Sequence, residues 1–262
     1  MQKGRHNLVS EYQCLGDLQI PEDQPLLGSP YTRSDTHSHG LAIIICTASV
    51  LFIASATNGL VTLNIVRFSS EFGLDPGVEL WPMTMYYLAQ GCTFLLAGSL
   101  TDVLGSRRTF LSGCFLQTVC HLASGLARTG AQLIAVRFIS GLAYPMCFIS
   151  AMSIHGENLP IGKFRNLAVT CTSASQYIGS GVGIILSGVL SETTGWRWGF
   201  HCAAILSLVG FLLSIWTIPQ QPHAPKYIPW TELAEDIEWS GTLLASSLTA
   251  LLFSALAYAS LS

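Results

Sequence analysis

Seven long apolar runs constrain this chain more than any other feature: Gly40–Ile65, Leu80–Val103, Thr109–Ala127, Leu133–Ile154, Leu167–Leu190, Trp198–Ile218 and Gly241–Leu261. A helix that crosses a bilayer needs about 20 predominantly apolar residues, and each run approaches or exceeds that length. Backbone groups in hydrocarbon have no water to bond, so such runs must close their hydrogen bonds internally, as helices or as a closed barrel. The runs are continuous and do not alternate, which excludes barrel strands. The expected fold is an all-α membrane protein of six helices plus a seventh. The expected organisation is a disordered cytoplasmic tail over residues 1–39, a six-helix transmembrane bundle over 40–218, a cytoplasmic loop over 219–240 and a seventh transmembrane helix over 241–262.

Composition agrees. Half of the 262 residues are apolar and only 10% are charged, against about a quarter charged in soluble domains. The mean hydropathy is +0.48. The net charge of -3 is spread out with no basic block, so nucleic acid is not an expected partner. The lipid bilayer is. The tail before Gly40 is polar, is broken by Pro21, Pro25, Gly28 and Pro30, and carries no apolar segment of the kind a cleaved signal needs.

Charge sets orientation. With the tail in the cytoplasm, the inner set is Lys3, Arg5, Arg33, Arg107, Arg108, Lys163, Arg165 and Lys226, and the outer set is Arg67, Arg128 and Arg197. Cytoplasmic loops carry the excess of Lys and Arg, so the N-terminus is expected inside. Trp81, Trp196 and Trp198 fall at outer helix ends, and Trp216, Trp230 and Trp239 at or near inner ones. All six are expected in the headgroup layer, where an indole keeps its ring in hydrocarbon and its N–H wet.

Few residues carry chemistry. The eight cysteines show no C-x-x-C spacing, so they are expected to act as small packing residues, with no metal and no cofactor. No nucleophile–base pair or phosphate loop suggests an enzyme. Arg137 lies within the fourth run. Burying that charge costs about 2.5–3.5 kcal/mol even on the mildest scale, so it must face a cavity or find a partner. Two readings stay open for it: a structural arginine bonded to carbonyls, or a residue coupled to proton movement. Asn58, Asn64, Gln90, Gln176 and Tyr177 are candidates for a substrate cavity. Gln117 and His121 are further polar residues within the runs, and His121 is expected to serve structure. Gly179, Gly183 and Gly188 in the fifth run have the small-residue spacing of close helix packing. No Asp or Glu lies deep in a run, so the source of a coupling carboxylate stays open. Glu22 to Leu27 fit an acidic dileucine sorting pattern.

The stretch from Gly98 to Arg108 resembles the motif after the second span of the major facilitator superfamily, G-x-L-x-D-x-x-G-x-R-R, at Gly98, Leu100, Asp102, Gly105, Arg107 and Arg108. The resemblance implies a conformational latch in which Asp102 braces neighbouring helices and the arginines hold the inner face. Arg137 and Gly141 are similar to the R-x-x-x-G motif of proton-coupled members, which implies a role in proton coupling. Leu159 to Asn166 resembles the P-x-G-x-R-N loop of fungal members, Gly195 to Phe200 a G-W-R-W-x-F element, and Asp236 to Gly241 the entry to the seventh span of fourteen-span members. The fifth span departs from the antiporter motif G-P-x-x-G-G, with Ile184 for proline and Ser187 for glycine.

The resemblance runs from about Leu41 to Ser262 and points to the N-terminal half of a fungal drug:proton antiporter with fourteen spans. It implies a major-facilitator half plus a seventh helix, and export of a small organic compound (a drug, toxin or secondary metabolite). The plasma membrane is the expected location, with the vacuolar or endosomal membrane as the alternative. Such carriers bind substrate between two six-helix halves, and this sequence supplies one. The expected partner is therefore a second half or a second copy. The alternative is a truncated, regulatory or non-transporting membrane protein.

Overall fold

The computed structural model describes residues 33–73 and 78–219, with the single backbone positions Gly241, Ser247 and Leu251. It contains six long helices: α1 (Arg33–Phe72), α2 (Trp81–Leu104), α3 (Ser106–Leu126), α4 (Gly130–Asn158), α5 (Lys163–Thr193) and α6 (Trp196–Thr217). The expected seventh helix, the 219–240 loop from Gln220 on, Trp230, Trp239, Cys14 and the dileucine pattern lie outside the described residues. The chain divides into two units, Met1–Thr36 and His37–Ser262. Of the first unit, only the opening turn of α1 is described, and all packing below belongs to the second.

Each of the first six apolar runs matches one helix, and α1, α4 and α5 extend past their runs at both ends. Hydrogen bonding carries a helix through the polar layers where hydropathy no longer marks it. Helical backbone starts at Arg33, and the stretch apolar enough to cross a membrane starts at His39. Four helices are long and apolar enough to cross a membrane by length and composition: α1 from His39, α4, α5 and α6. Helix α3 turns many of its polar residues inward: Thr109, Gln117, His121 and Ser124 are buried.

Local chemistry fixes the links. Gly105 takes φ 88°, a backbone conformation that L side chains avoid, and joins α2 to α3 with no intervening loop. The Thr129 hydroxyl caps α4 by accepting from the Gln132 N–H at 3.3 Å. Pro82 sits in the first turn of α2, where a missing N–H costs nothing.

In the bundle, α4 packs along α2 and α3, and α3 along α6. Helix α1 crosses the other side. Its first half meets the end of α6, where the Cys46 thiol lies 3.1 Å from Ser214 Oγ, and the end of α4, where Thr47 Oγ1 lies 2.9 Å from His155 Nε2.

Two pairs of helices approach each other backbone to backbone. In one, Gly59 of α1 lies against the Ser180 carbonyl of α5, and Gly179 and Gly183 lie against the backbone of Phe52 and Ala56. In the other, Gly141 of α4 lies against the Tyr86 carbonyl of α2. Small residues at such crossings let backbones touch where lipid offers no hydrophobic drive. The expected packing role thus falls on Gly179 and Gly183, whereas a side chain at Gly188 would meet only a Leu63 methyl, at 3.8 Å.

One tryptophan departs from the expected headgroup placement. Trp81, Trp198 and Trp216 are exposed, but Trp196 is 5% exposed. It stands in an aromatic cluster with Phe68 at 4.8 Å, Phe200 at 5.9 Å and Phe72 at 6.0 Å between ring centroids. Its indole N–H donates to Glu71 at 2.6 Å. That carboxylate replaces the water an interfacial indole would use.

Candidate functional site

At the α2–α3 turn, the Gly105 N–H closes α2 on the Thr101 carbonyl at 3.0 Å. The Thr109 hydroxyl binds back to the Gly105 and Leu100 carbonyls. Arg107 donates from Nη2 to the Ile215 carbonyl at 3.0 Å, placing a cation at the C-terminal end of α6, where the helix dipole favours it. Ser106 donates to Glu157 Oε2 at 2.8 Å, tying the turn to the end of α4.

Asp102 is exposed, and an ion pair that joins two helices lies between Arg197 and Glu71. Leu100 is half-buried, a Cβ placed on Gly98 would meet no atom within 4 Å, and Arg108 is exposed. Within this half, Arg107, Ser106 and Glu157 hold the turn, while Gly98 and Asp102 present an open face.

Arg137 is 1% exposed. Its Nη1 donates to Asn58 Oδ1 of α1 at 3.1 Å. Its guanidinium carbon sits 5.1 Å from the Phe200 ring centroid and 5.9 Å from that of Tyr86, so aromatic faces supply part of its stabilisation. Nε and Nη2 have no partner among the described residues. Gly141 lies one helical turn further on the same face. Its contact with the Tyr86 carbonyl lets α4 press onto α2, which brings Arg137 against the Tyr86 ring. Among the described residues its acceptor is a side-chain amide, not a helix carbonyl.

The candidate cavity residues separate. Asn58, Gln90 and Gln176 are half-buried and Tyr177 is exposed. Asn64 is 1% exposed, and its amide is spent on the Leu60 carbonyl at 3.0 Å and Ser187 Oγ at 2.6 Å. Its Nδ2 donors bind α1 to α5. Ser187, the departure from the antiporter motif, is the acceptor in that bond. Gln176 receives a hydrogen bond from the Tyr144 hydroxyl.

His121 is structural, bonded to Gln117 at 3.1 Å and Ser207 at 2.9 Å. If Gln117 donates to Nε2, then Nδ1 carries the proton and donates to Ser207. Cys46, Cys114, Cys120 and Cys147 are buried, while Cys171 and Cys202 are exposed. Among the described residues, no group of three or more His, Cys, Asp or Glu is placed to hold a metal ion.

Sequence reasoning passed over three features. An aromatic row joins α2 and α4: Tyr87 to Tyr86 at 5.3 Å, Tyr86 to Tyr144 at 6.4 Å, Tyr144 to Phe148 at 6.3 Å and Phe148 to Phe94 at 5.8 Å. The four-residue spacing of Tyr144 and Phe148 was its available signal. His155 is fully buried against Thr47. Glu71 joins α1 to both Trp196 and Arg197, each at 2.6 Å.

A six-helix bundle with a glycine-pivoted turn after its second helix and a buried arginine in its fourth is the arrangement that the resemblance of the Gly98–Arg108 turn implies. The profile of the Major Facilitator Superfamily matches residues 45–262, and the chain belongs to that family. It is 28% identical over 84% of its length to MFS-type transporter 1 of Pyricularia oryzae, covering 40% of that protein. It is 29% identical over 78% of its length to a cephamycin export protein of Amycolatopsis lactamdurans, covering 40% of it. It is 27% identical over 78% of its length to an aminotriazole resistance protein of Saccharomyces cerevisiae, covering 38% of it. The chain thus spans about two-fifths of the length of these relatives. Among solved structures, the peptide transporter POT in complex with sulfate matches with a TM-score of 0.63 at 19% identity, over 81% of this chain and 46% of that one. At that identity the match speaks for the fold alone.

Proposed function

We propose that this multi-pass membrane protein supplies the N-terminal half of a proton-coupled exporter of small organic compounds. The observation that carries the reading is Arg137, a charge fully buried at the junction of α1, α2 and α4 with two of its donors unspent. A charge held in a membrane bundle at such cost is a functional group by default. The names of relatives, cephamycin export and aminotriazole resistance, support outward movement of small organic molecules.

In this reading, Asn58, Gln90, Gln176 and Tyr177 belong to one wall of the cavity. Arg137 and Gly141 couple proton movement to the helix contacts around them. The turn from Gly98 to Arg108 is the latch, with Arg107 holding this half and Asp102 offered to the other. The second wall comes from a further six-helix half or a second copy of this chain. The N-terminus lies in the cytoplasm and the membrane is the plasma membrane.

The test is flux in proteoliposomes containing the full chain, with aminotriazole as probe and an imposed pH gradient. Gradient-driven aminotriazole movement that a protonophore abolishes supports the reading. Movement indifferent to the gradient contradicts coupling, and no movement above protein-free vesicles contradicts transport by this chain.

A further inference from the structure

The donor arrangement around Arg137 has a specific chemical complement. The unspent nitrogens, Nε and Nη2, are the two whose N–H bonds run parallel along one edge of the guanidinium. That edge matches the two oxygens of a carboxylate. The third nitrogen, Nη1, is occupied by Asn58, which fixes the plane of the group. The Tyr86 hydroxyl beside it is buried and makes no well-formed hydrogen bond. The crevice these groups line, edged by Val61, Met83 and Tyr87, thus offers unspent donors from Arg137 and Tyr86.

Nothing described in the spans answers them. Glu71, Asp102, Glu157 and Glu192 all sit in the last turn or so of their helices. The crevice is narrow in this state. Met83, unbranched and adaptable, and Tyr87, 38% exposed, form the edge that must part to admit a ligand.

We propose that this crevice is a subsite for a carboxylate carried by the transported compound, which makes organic anions, and aromatic ones above all, the substrate class. The aromatic row from Tyr87 to Phe94 begins at the same crevice and suits a planar ring attached to that carboxylate. A cation is disfavoured, since its charge would be brought against a buried guanidinium in low dielectric. The inference rests on the transport reading above and adds the substrate to it.

The test is calorimetric titration of the purified full chain in mild detergent with benzoate, using benzyl alcohol and benzylamine as uncharged and cationic controls of similar shape. Benzoate is expected to saturate at one site while neither control does. Arg137→Gln is expected to abolish that binding. Tyr86→Phe removes a hydroxyl whose contact to Asn58 falls short of a well-formed hydrogen bond, so it is expected to leave thermal unfolding nearly unchanged while weakening benzoate about tenfold or more. This second variant keeps the test decisive if Arg137→Gln does not fold. Benzoate binding no better than benzyl alcohol overturns the proposal, as does unaltered binding in both variants. Displacement of benzoate by an equal concentration of chloride overturns the carboxylate assignment in favour of an unselective anion site. Gradient-driven flux of aminotriazole and of benzoate on the same preparation separates the two claims: aminotriazole flux without benzoate binding sinks the subsite alone, and benzoate binding with flux of neither compound sinks the transport reading.

Discussion

Arg137 of α4 and Asn58 of α1 are joined by a single hydrogen bond of 3.1 Å, and it is the only one the buried guanidinium makes among the described residues. That bond links α1 to α4. Asn58→Leu removes the acceptor and leaves the charge without any. A hydrogen bond to a charged group is worth about 1.5–3 kcal/mol, so thermal unfolding in detergent should show a loss of that order. Asn58→Gln, which keeps the amide, should lose less.

The α1–α5 contact depends on glycine at particular positions. A Cβ at Gly183 would meet the Ala56 carbonyl, whereas one at Gly181 would meet nothing within 4 Å. Gly183→Ala should therefore destabilise the bundle by about 1–3 kcal/mol, the usual cost of overpacking. Gly181→Ala should be neutral or slightly stabilising, since Ala is the better helix former. Side-by-side unfolding of the two variants checks this.

At the other end of α1, Glu71 serves two donors of unequal importance. Its pair with Arg197 has both side chains 40% exposed, and exposed pairs are worth about 0–1 kcal/mol. Arg197→Ala should therefore cost little beyond the stacking of the guanidinium on Trp196. Glu71→Ala also strands the buried Trp196 N–H, a loss of about 1–3 kcal/mol. Tryptophan fluorescence together with unfolding should separate the two variants.

Thiol accessibility tests the packing independently. A small maleimide added in detergent should modify Cys171 and Cys202 quickly, and reach Cys46, Cys114, Cys120 and Cys147 only on unfolding, because the first two are exposed and the other four buried. Fast modification of Cys114 or Cys147 would contradict the α3–α4 interface, where their sulfurs lie 4.0 Å apart.

The six described helices were legible because hydropathy is a property of whole runs. Their ends were less so, since a helix such as α4 continues through polar residues to Asn158. Side-chain roles were legible only where one residue type has one common use. Arg137 declares itself by its charge. Asn58 and Asn64 share a side chain and a helix, yet one faces the guanidinium and the other is spent between α1 and α5. That difference is set by which neighbour each meets across a helix crossing. Trp196 went to the core because Glu71, 125 positions away, offers its N–H an acceptor. Asp102 carries the family's signature, but the contact expected of it is absent from the described part of this half, and the intramolecular brace falls to Arg107, Ser106 and Glu157.

The most direct measurement is gradient-driven aminotriazole flux by the Arg137→Ala chain, compared with the unmodified chain at equal amounts inserted in the vesicle membrane. The proposed function predicts normal insertion and loss of the gradient-driven component. Unchanged gradient-driven flux in that variant would contradict it.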